Sequence, residues 1–157
     1  MTALPADPVT RSPEEAVRGL WRTLSDRDYD GIAGWVTDDC IYLDVPVGPT
    51  LAARGPGDIA ARLRVGWGEL AGYENHDGLL VADGEHVIYE HSETWTFVSG
   101  EVLTLPFCSV HRVREGRVSL WKDYWDYGAV MSQAPASWVE GLATADTSWV
   151  FDATGLV

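Results

Sequence analysis

The segment VIYEHSETWTF, residues 87–97, alternates between two kinds of side chain. Its odd positions are apolar or aromatic except for His91 and Glu93, whereas its even positions are mostly polar. Successive side chains of a β-strand point to opposite faces of the sheet, so this alternation predicts a strand with one buried face. His91 and Glu93 then lie on that face, where ionisable groups without partners are costly to bury. We therefore expect both residues to be paired or to serve a functional site.

Three more strands are predicted around this one. The four strands cover approximately residues 74–82, 86–98, 102–114 and 117–126. The connections between them, Asp83-Gly84, Ser99-Gly100 and Glu115-Gly116, are typical hairpin turns. A further short strand, Cys40–Val45, comes earlier in the chain and ends at Pro46. The four later strands form a meander, which predicts an antiparallel sheet.

Helical patterns precede the meander. Ser12, Pro13 and Glu15 are typical of a helix start, with Ser as the N-cap and Pro at the first helical position. Apolar spacing also predicts a short second helix from Tyr29 to Val36 and a third helix from Ile59 to Leu70. Helices followed by strands indicate the α+β class. We expect the N-terminal helices to pack on the concave face of one curved sheet, around an apolar pocket.

Length and composition limit the function further. The 157 residues suit a single domain, 1–157, with a poorly ordered leader at 1–11 and a C-terminal tail at 128–157 that closes the pocket. The formal net charge of −13 excludes a phosphate-binding surface for nucleic acid and favours a neutral, lipophilic small molecule as ligand. No apolar run is long enough to cross a membrane. Cys40 and Cys108 have no redox or metal-ligand spacing, which fits a cytoplasmic location.

The last predicted strand places another carboxyl group among aromatic residues. Asp123 shares its odd face with Trp121 and Trp125. Burial in such surroundings raises the pKa of a carboxyl group, and a pKa near neutrality suits a general acid or base. Asp123 is therefore the first catalytic candidate. Tyr42 and Asp44 share one face of the first strand by the same rule and can point toward the same space.

Five residues thus form the predicted catalytic set: Tyr42, Asp44, His91, Glu93 and Asp123. The predicted substrate-binding residues are large apolar side chains of the inner face and the third helix. They are Trp67, Tyr89, Trp95, Leu105, Phe107, Trp121 and Trp125. The histidines show no paired spacing, and we expect neither a metal nor another cofactor.

From Thr37 to about Val130 the chain resembles the limonene-1,2-epoxide hydrolase family. This family belongs to the cone-shaped, nuclear transport factor 2-like fold, which it shares with ketosteroid isomerases, scytalone dehydratase and small polyketide cyclases. The resemblance lies in YLDVP at 42–46, EHSET at 90–94 and WKDYWD at 121–126.

The resemblance implies a role for each of three residues. Asp123 would be the base that activates water, Tyr42 would hold that water, and Glu93 would protonate the epoxide oxygen. Two carboxyl groups of opposite protonation state can supply both proton transfers of epoxide opening.

Two positions depart from the family pattern. His91 stands where the family has Arg, and Asp44 stands where it has Asn, so a permanent cation is lost and a potential anion is added. We therefore expect at least one of the three carboxyl groups to stay protonated and His91 to tend toward imidazolium. The missing amide also leaves room for a substrate hydroxyl as nucleophile. The expected enzyme is an epoxide hydrolase or an epoxide-opening cyclase.

Two other functions are open at this point. His91, with carboxyl groups nearby and Tyr42 in an apolar cavity, could be the base of a dehydratase, an isomerase or a polyketide-type cyclase. The same fold also serves as a non-catalytic binding or association module, because fold alone does not fix function. By analogy with the fold, the convex sheet face is expected to form a homodimer.

Overall fold

The structure, a computed structural model, describes residues 7–157. The predicted poorly ordered leader therefore lies outside the described residues except for 7–11, where Asp7 caps a 3-10 turn at Pro8–Thr10. The helices are α1 (Pro13–Ser25), α2 (Gly55–Trp67), α3 (Tyr127–Gln133) and α4 (Ala136–Ala143). The strands are β1 (Val36–Asp44), β2 (Ala52–Arg54), β3 (Leu70–Asp83), β4 (His86–Phe97), β5 (Val102–Arg114), β6 (Arg117–Tyr124) and β7 (Val150–Phe151).

The described strands form one curved, unclosed sheet in the order β3-β4-β5-β6-β1-β2-β7. The predicted meander makes up β3 to β6, and each of these strands pairs antiparallel with the next. Strand β1 pairs parallel with β6, which puts Asp44 directly beside Asp123 and Tyr42 beside Trp121. The predicted α+β class is confirmed, and the parallel pair is the one departure from an antiparallel sheet among the described strands.

Alternating burial confirms the inner face of the two longest inner strands. On β4 the buried residues are Val87, Tyr89, His91, Glu93, Trp95 and Phe97. On β5 they are Leu103, Leu105, Phe107, Ser109, His111 and Val113. Helix α1 packs across this face against β3 to β6. It begins with the predicted capping box, in which Ser12 and Glu15 bond each other's backbone N–H.

Several predicted boundaries are wrong near the N-terminal half of the sheet. The second helix is only a 3-10 turn at Asp30–Gly34. Strand β1 starts at Val36, so residues 37–39, which were expected to separate the helix from the strand, are themselves strand. A register shift between Val36 and Ile41 accommodates these polar residues in the strand. Helix α2 ends at Trp67, and Leu70 instead begins β3, where it pairs with Phe97. The two short strands β2 and β7 were not predicted, because two or three residues carry no measurable alternation.

The outer face of the sheet carries exposed apolar side chains. They are Leu79, Val81, Ile88, Val102 and Tyr124. Within residues 7–157 no helix is both long enough and apolar enough to span a membrane.

Candidate active site

A cavity of about 250 Å³ lies between α2, the inner sheet face and the C-terminal segment. The ionisable groups that line it are Tyr42, Asp44, Arg62, Glu93 and Asp123. The lining also includes four predicted substrate-binding residues, Trp67, Trp95, Phe107 and Trp125. The C-terminal segment also lines the cavity, through Tyr127, Val130, Met131, Trp138, Leu142 and Trp149.

The structure brings four of the five predicted catalytic residues to this cavity, and His91 lies behind its wall. Tyr89 and Phe107 stack on the His91 ring, with centroids 4.6 and 5.4 Å away. Of the predicted substrate-binding residues, Tyr89, Leu105 and Trp121 are fully covered core residues and do not line the cavity. Alternation identifies the inner face of a strand, but it does not tell which part of that face α1 covers.

An indole N–H contacts each of the three carboxyl groups in the cavity. Trp95 donates to Glu93 Oε2 at 2.8 Å, and Trp121 donates to Asp123 Oδ1 at 2.6 Å. In both pairs the two residues are two positions apart on one strand, so the alternation of the strand puts them on the same face. Trp125 donates to Asp44 Oδ1 at 2.9 Å. The abundance of tryptophan in this chain thus supplies donors that orient the carboxyl groups as well as an apolar wall.

The buried environment of Glu93 favours the protonated form of its carboxyl group. Its side chain is 1 % exposed, and Oε1 has no hydrogen-bond partner in the described structure. Burial raises its pKa to about 8, with a further rise from Asp123, while the Trp95 indole acts in the opposite sense. Near neutral pH Glu93 is therefore mainly a carboxylic acid, with Oε2 held by Trp95 and the Tyr73 hydroxyl close enough to lower its pKa.

Asp123 titrates closer to neutrality. Burial raises its pKa to about 7, the neighbouring Asp44 carboxylate adds to the rise, and hydrogen bonds from Ser109, Trp121 and Tyr42 oppose it. Ser109 Oγ and Trp121 Nε1 both approach Oδ1, at 2.5 and 2.6 Å. Since the bonds from Ser109 and Trp121 both go to Oδ1, Oδ2 is the oxygen left to receive a proton.

Asp44 and Arg62 form the ion pair of the site. Arg62 Nη2 lies 2.5 Å from Asp44 Oδ2, and both side chains are largely buried. Asp44 Oδ1 accepts from the Tyr42 hydroxyl at 3.0 Å and from Trp125, so this carboxylate is occupied by three donors. Burial lowers the Arg62 pKa, but the charge and hydrogen bond of Asp44, together with contributions from Tyr42 and Asp123, make the net shift upward. Asp44 therefore acts as an anchor for its neighbours rather than as a free base.

Arg62 thus supplies a permanent cation to the site, although His91 stands where the family has Arg. The cation comes from a helix instead of a strand. Arg62 projects from α2, three residues after Ile59 and one before Leu63, beside the apolar stripe of that helix. Its guanidinium also lies 5.4 Å from the centroid of Trp149, which belongs to the C-terminal segment. Its place at the edge of the apolar face of α2 could have identified Arg62 from the sequence as a residue near the cavity.

Replacing Arg62 by Met is expected to destabilise the fold by about 3 kcal/mol, because it leaves the buried Asp44 carboxylate without its cation. Adding Asp44→Asn should recover part of that loss, since the uncompensated charge is then removed. Equilibrium unfolding in denaturant measures both effects. Arg64→Met is the matched control. Arg64 lies on the same helix but is exposed, and its contacts with Asp30 at 3.8 Å and with the Tyr29 ring at 4.5 Å are each worth about 1 kcal/mol or less. Equal losses for the two arginines would contradict the buried-pair assignment.

His91 does not become imidazolium as the sequence suggested. Burial lowers its pKa to about 3, and the nearby His111 lowers it further. Its Nε2 lies 2.9 Å from Ser109 Oγ, and its Nδ1 lies 2.8 Å from Asn75 Oδ1. The expected attraction to carboxylates fails because Ser109 stands between His91 and Asp123. Sequence reasoning missed Ser109, although a hydroxyl interrupting the apolar inner face of β5 was a usable signal.

Among residues 7–157 there is no group of three or more His, Cys, Asp or Glu placed to hold a metal ion. The two cysteines are free thiols, Cys40 buried and Cys108 half-buried.

Fold and site together define a cone-shaped α+β domain with an acid/base cavity. The family model for the limonene-1,2-epoxide hydrolase catalytic domain matches residues 11–136. The chain belongs to this family.

Individual relatives agree with this assignment. Epoxide hydrolase EphG of Mycobacterium tuberculosis is 31% identical over 113 residues, which cover 71% of each chain. A solved structure of an LEH-like epoxide hydrolase from M. tuberculosis has 26% identity and a TM-score of 0.65, covering 84% of this chain and 92% of that one. A SnoaL-like polyketide cyclase structure from Shewanella putrefaciens has a TM-score of 0.68 over 77% of this chain and 94% of the other. At 15% identity it shows a shared fold only. The family model and the curated relative are both described as epoxide hydrolases.

Proposed function

We propose that this protein is an enzyme that opens an epoxide on a neutral, lipophilic small molecule, with water or a hydroxyl of the substrate as nucleophile. The observation that carries the proposal is the pair Asp123 and Glu93. Both line one aromatic cavity, and the pKa of Glu93, about 8, lies above that of Asp123, about 7. Near neutral pH one carboxyl group is thus available as a base while the other still carries its proton.

Asp123 is the base in this proposal. The Tyr42 hydroxyl gives its proton to Asp44, and burial raises the Tyr42 pKa well above 10, so its oxygen is left as an acceptor. A water molecule held near Tyr42 and Asp123 can donate one proton to each oxygen, whereas a substrate hydroxyl donates its single proton to Asp123. As the nucleophile attacks the epoxide carbon, its proton passes to Asp123.

Glu93 is the acid. The epoxide C–O bond breaks as the Glu93 proton passes to the departing oxygen, which leaves a neutral alcohol and a glutamate carboxylate. Return of the proton from Asp123 to Glu93 then restores the starting state. Trp95 holds Glu93 Oε2 throughout and stabilises the carboxylate that forms. The indole walls suit a lipophilic substrate, and the chain's net charge of −13 disfavours an anionic one.

The His91-based alternative has less support. A base must reach the proton that it abstracts, and His91 lies behind the cavity wall with a pKa of about 3. A non-catalytic binding module has no need of two buried carboxyl groups whose pKa values are raised toward neutrality, and such groups are costly to retain.

The test is turnover of a panel of lipophilic epoxides in water enriched in ¹⁸O. We expect epoxide consumption with a maximum between about pH 7 and pH 8, because Asp123 must be ionised while Glu93 is protonated. One solvent oxygen in the product identifies a hydrolase, whereas an unlabelled cyclic ether formed from a hydroxy-epoxide identifies a cyclase. Tight binding of panel members with no product over the whole pH range would overturn the enzyme proposal in favour of the binding module.

A homodimer through the outer sheet face is also part of this proposal. The exposed apolar residues there include Leu79, Ile88 and Tyr124. Light scattering is expected to give about twice the chain mass of 17.2 kDa, and a monomeric mass would exclude the dimer.

A further inference from the structure

A line of hydrogen bonds leads away from Asp123, through the core, to the surface. From Asp123 Oδ1 it passes to Ser109 Oγ at 2.5 Å, to His91 Nε2 at 2.9 Å, and from His91 Nδ1 to Asn75 Oδ1 at 2.8 Å. Asn75 Nδ2 then donates to the Tyr89 hydroxyl, which donates to the exposed Asp77. The catalytic proposal leaves Ser109, His91 and Asn75 without a role.

The outer end of this line fixes the protonation of His91. Tyr89 has a pKa of about 12 and keeps its one proton, which goes to Asp77. Its oxygen must then accept from the Asn75 amide nitrogen, so the Asn75 oxygen faces His91. An amide oxygen only accepts, so His91 carries its proton on Nδ1 and leaves Nε2 as an acceptor. In the described hydrogen bonds, Ser109 is the sole partner of Nε2.

Ser109 therefore stands between two acceptors with one proton to give. An ionised Asp123 holds the proton, because a hydrogen bond to a carboxylate is about twice as strong as one between neutral groups. A protonated Asp123 is a weaker acceptor, and its Oδ1 still receives the Trp121 N–H. His91 Nε2 then becomes the better acceptor.

We propose that the Ser109 hydroxyl is a two-position switch, which donates to Asp123 while that carboxylate is ionised and turns to His91 once Asp123 has taken the proton of the nucleophile. No proton passes through Ser109; its O–H bond rotates. Ser109 and His91 are positioning residues that rest on the proposed role of Asp123 as base. The new Ser109–His91 bond stabilises protonated Asp123 and so makes Asp123 a stronger base.

Other ionisable groups face these residues from the elements packed around them. The ionisable groups that face Asp123 are Tyr42 and Asp44 on β1, Arg62 on α2, Tyr73 on β3, Glu93 on β4 and Cys108 on β5. His91 is faced by Asp77 on β3 and His111 on β5. The test must therefore separate the response of His91 to Asp123 from its response to these groups.

Nitrogen NMR of the ¹⁵N-labelled protein separates the response of His91 to Asp123 from its response to the other ionisable groups. In wild type we expect His91 to stay neutral with its proton on Nδ1 between pH 5.5 and 9. The Nε2 resonance should move to lower frequency as pH falls, with the midpoint of the Asp123 ¹³C carboxyl titration. In Asp123→Asn, a neutral stand-in for the protonated acid, Nε2 should stay at its low-pH position throughout. In Ser109→Ala the response should vanish. His111 is an internal reference, because Trp21 donates to its Nε2 independently of Asp123.

A second variant tests the consequence for basicity. In His91→Phe, which keeps an aromatic ring between Tyr89 and Phe107, Ser109 has no alternative to Asp123. The Asp123 titration midpoint should fall by roughly half to one pH unit, the equivalent of one modest hydrogen bond. The switch proposal would be overturned if His91 carried its proton on Nε2. It would also be overturned if the Nε2 chemical shift did not change as Asp123 titrates. These readouts need no turnover, so absence of epoxide opening would not mimic this result, and a static His91 would not refute epoxide opening.

Discussion

Asp123→Asn is expected to lower kcat for epoxide opening by about 10²–10⁴-fold, the usual contribution of a general base. The amide keeps the size of the side chain and can still accept from Trp121, so the cavity should be preserved. It cannot take a proton from the nucleophile. Wild-type activity should fall below about pH 7 as Asp123 is protonated, whereas the residual activity of the variant should not show this acidic limb. Initial rates across pH on one epoxide measure both effects.

Asp126→Asn is the matched control for this variant. Asp126 is exposed, lies three residues further on, and caps α3 by accepting from Ala129 N–H at 3.0 Å. Asn caps helices about as well as Asp, so fold and activity should both be retained. If Asp123→Asn kept wild-type turnover while binding substrate normally, the base would have to be another group.

The inner faces of the long strands were predictable from sequence because period-two alternation is a local property. Val87 to Phe97 needed no tertiary information, and the three hairpin turns located the ends of the strands. The boundary at Val36 failed because Thr37, Asp38 and Asp39 look like a turn, while the structure pairs this stretch irregularly with β6. No local pattern encodes a pairing partner some eighty residues away.

The site was predictable to the same extent. Four of the predicted residues share a cavity because each lies on the inner face of its strand: Tyr42, Asp44, Glu93 and Asp123. The alternation of side chains along a strand predicts that face from sequence. Arg62 was missed because it comes from a helix whose rotation against the sheet is set by packing. The His91 protonation state was predicted with the wrong sign, because burial of the ring outweighs any attraction to carboxyl groups and Ser109 separates it from Asp123.

These residues also show why the site does not need the family pattern in detail. Arg62 neutralises Asp44, so the extra carboxylate does not leave three free charges in the cavity. In the proposed mechanism, the remaining two carboxyl groups, Asp123 and Glu93, then divide the acid and base roles through burial and indole contacts. A change of the cation from strand to helix therefore preserves the electrostatic balance that the proposed chemistry requires.

Glu93→Gln is expected to lower kcat by about 10²–10⁴-fold, because the epoxide oxygen would depart without a proton. The loss should be smaller for epoxides with electron-withdrawing substituents, whose departing oxygen is less basic and needs the acid less. A variant that had only lost its structure would show the same loss on every substrate. Glu90→Gln is the control, since Glu90 is exposed on the outer face of the same strand. Uniform loss across the epoxide series would contradict the acid role.

The Glu93→Gln variant should become more stable relative to the wild-type protein as pH rises. Glu93 has a pKa of 4.5 as an ordinary side chain and about 8 in the folded protein, so between these values the folded state holds a proton that the unfolded state has released. Wild-type stability from this group is therefore lost as pH rises through the window. The amide of the Glu93→Gln variant has no proton to lose and can still accept from the Trp95 indole. Thermal unfolding from pH 5 to pH 8 should show the melting temperature of the variant rising relative to wild type. If the difference in melting temperature between variant and wild type did not change with pH, Glu93 would not be protonated in the folded protein. The proposed acid would then have no proton to give to the epoxide oxygen.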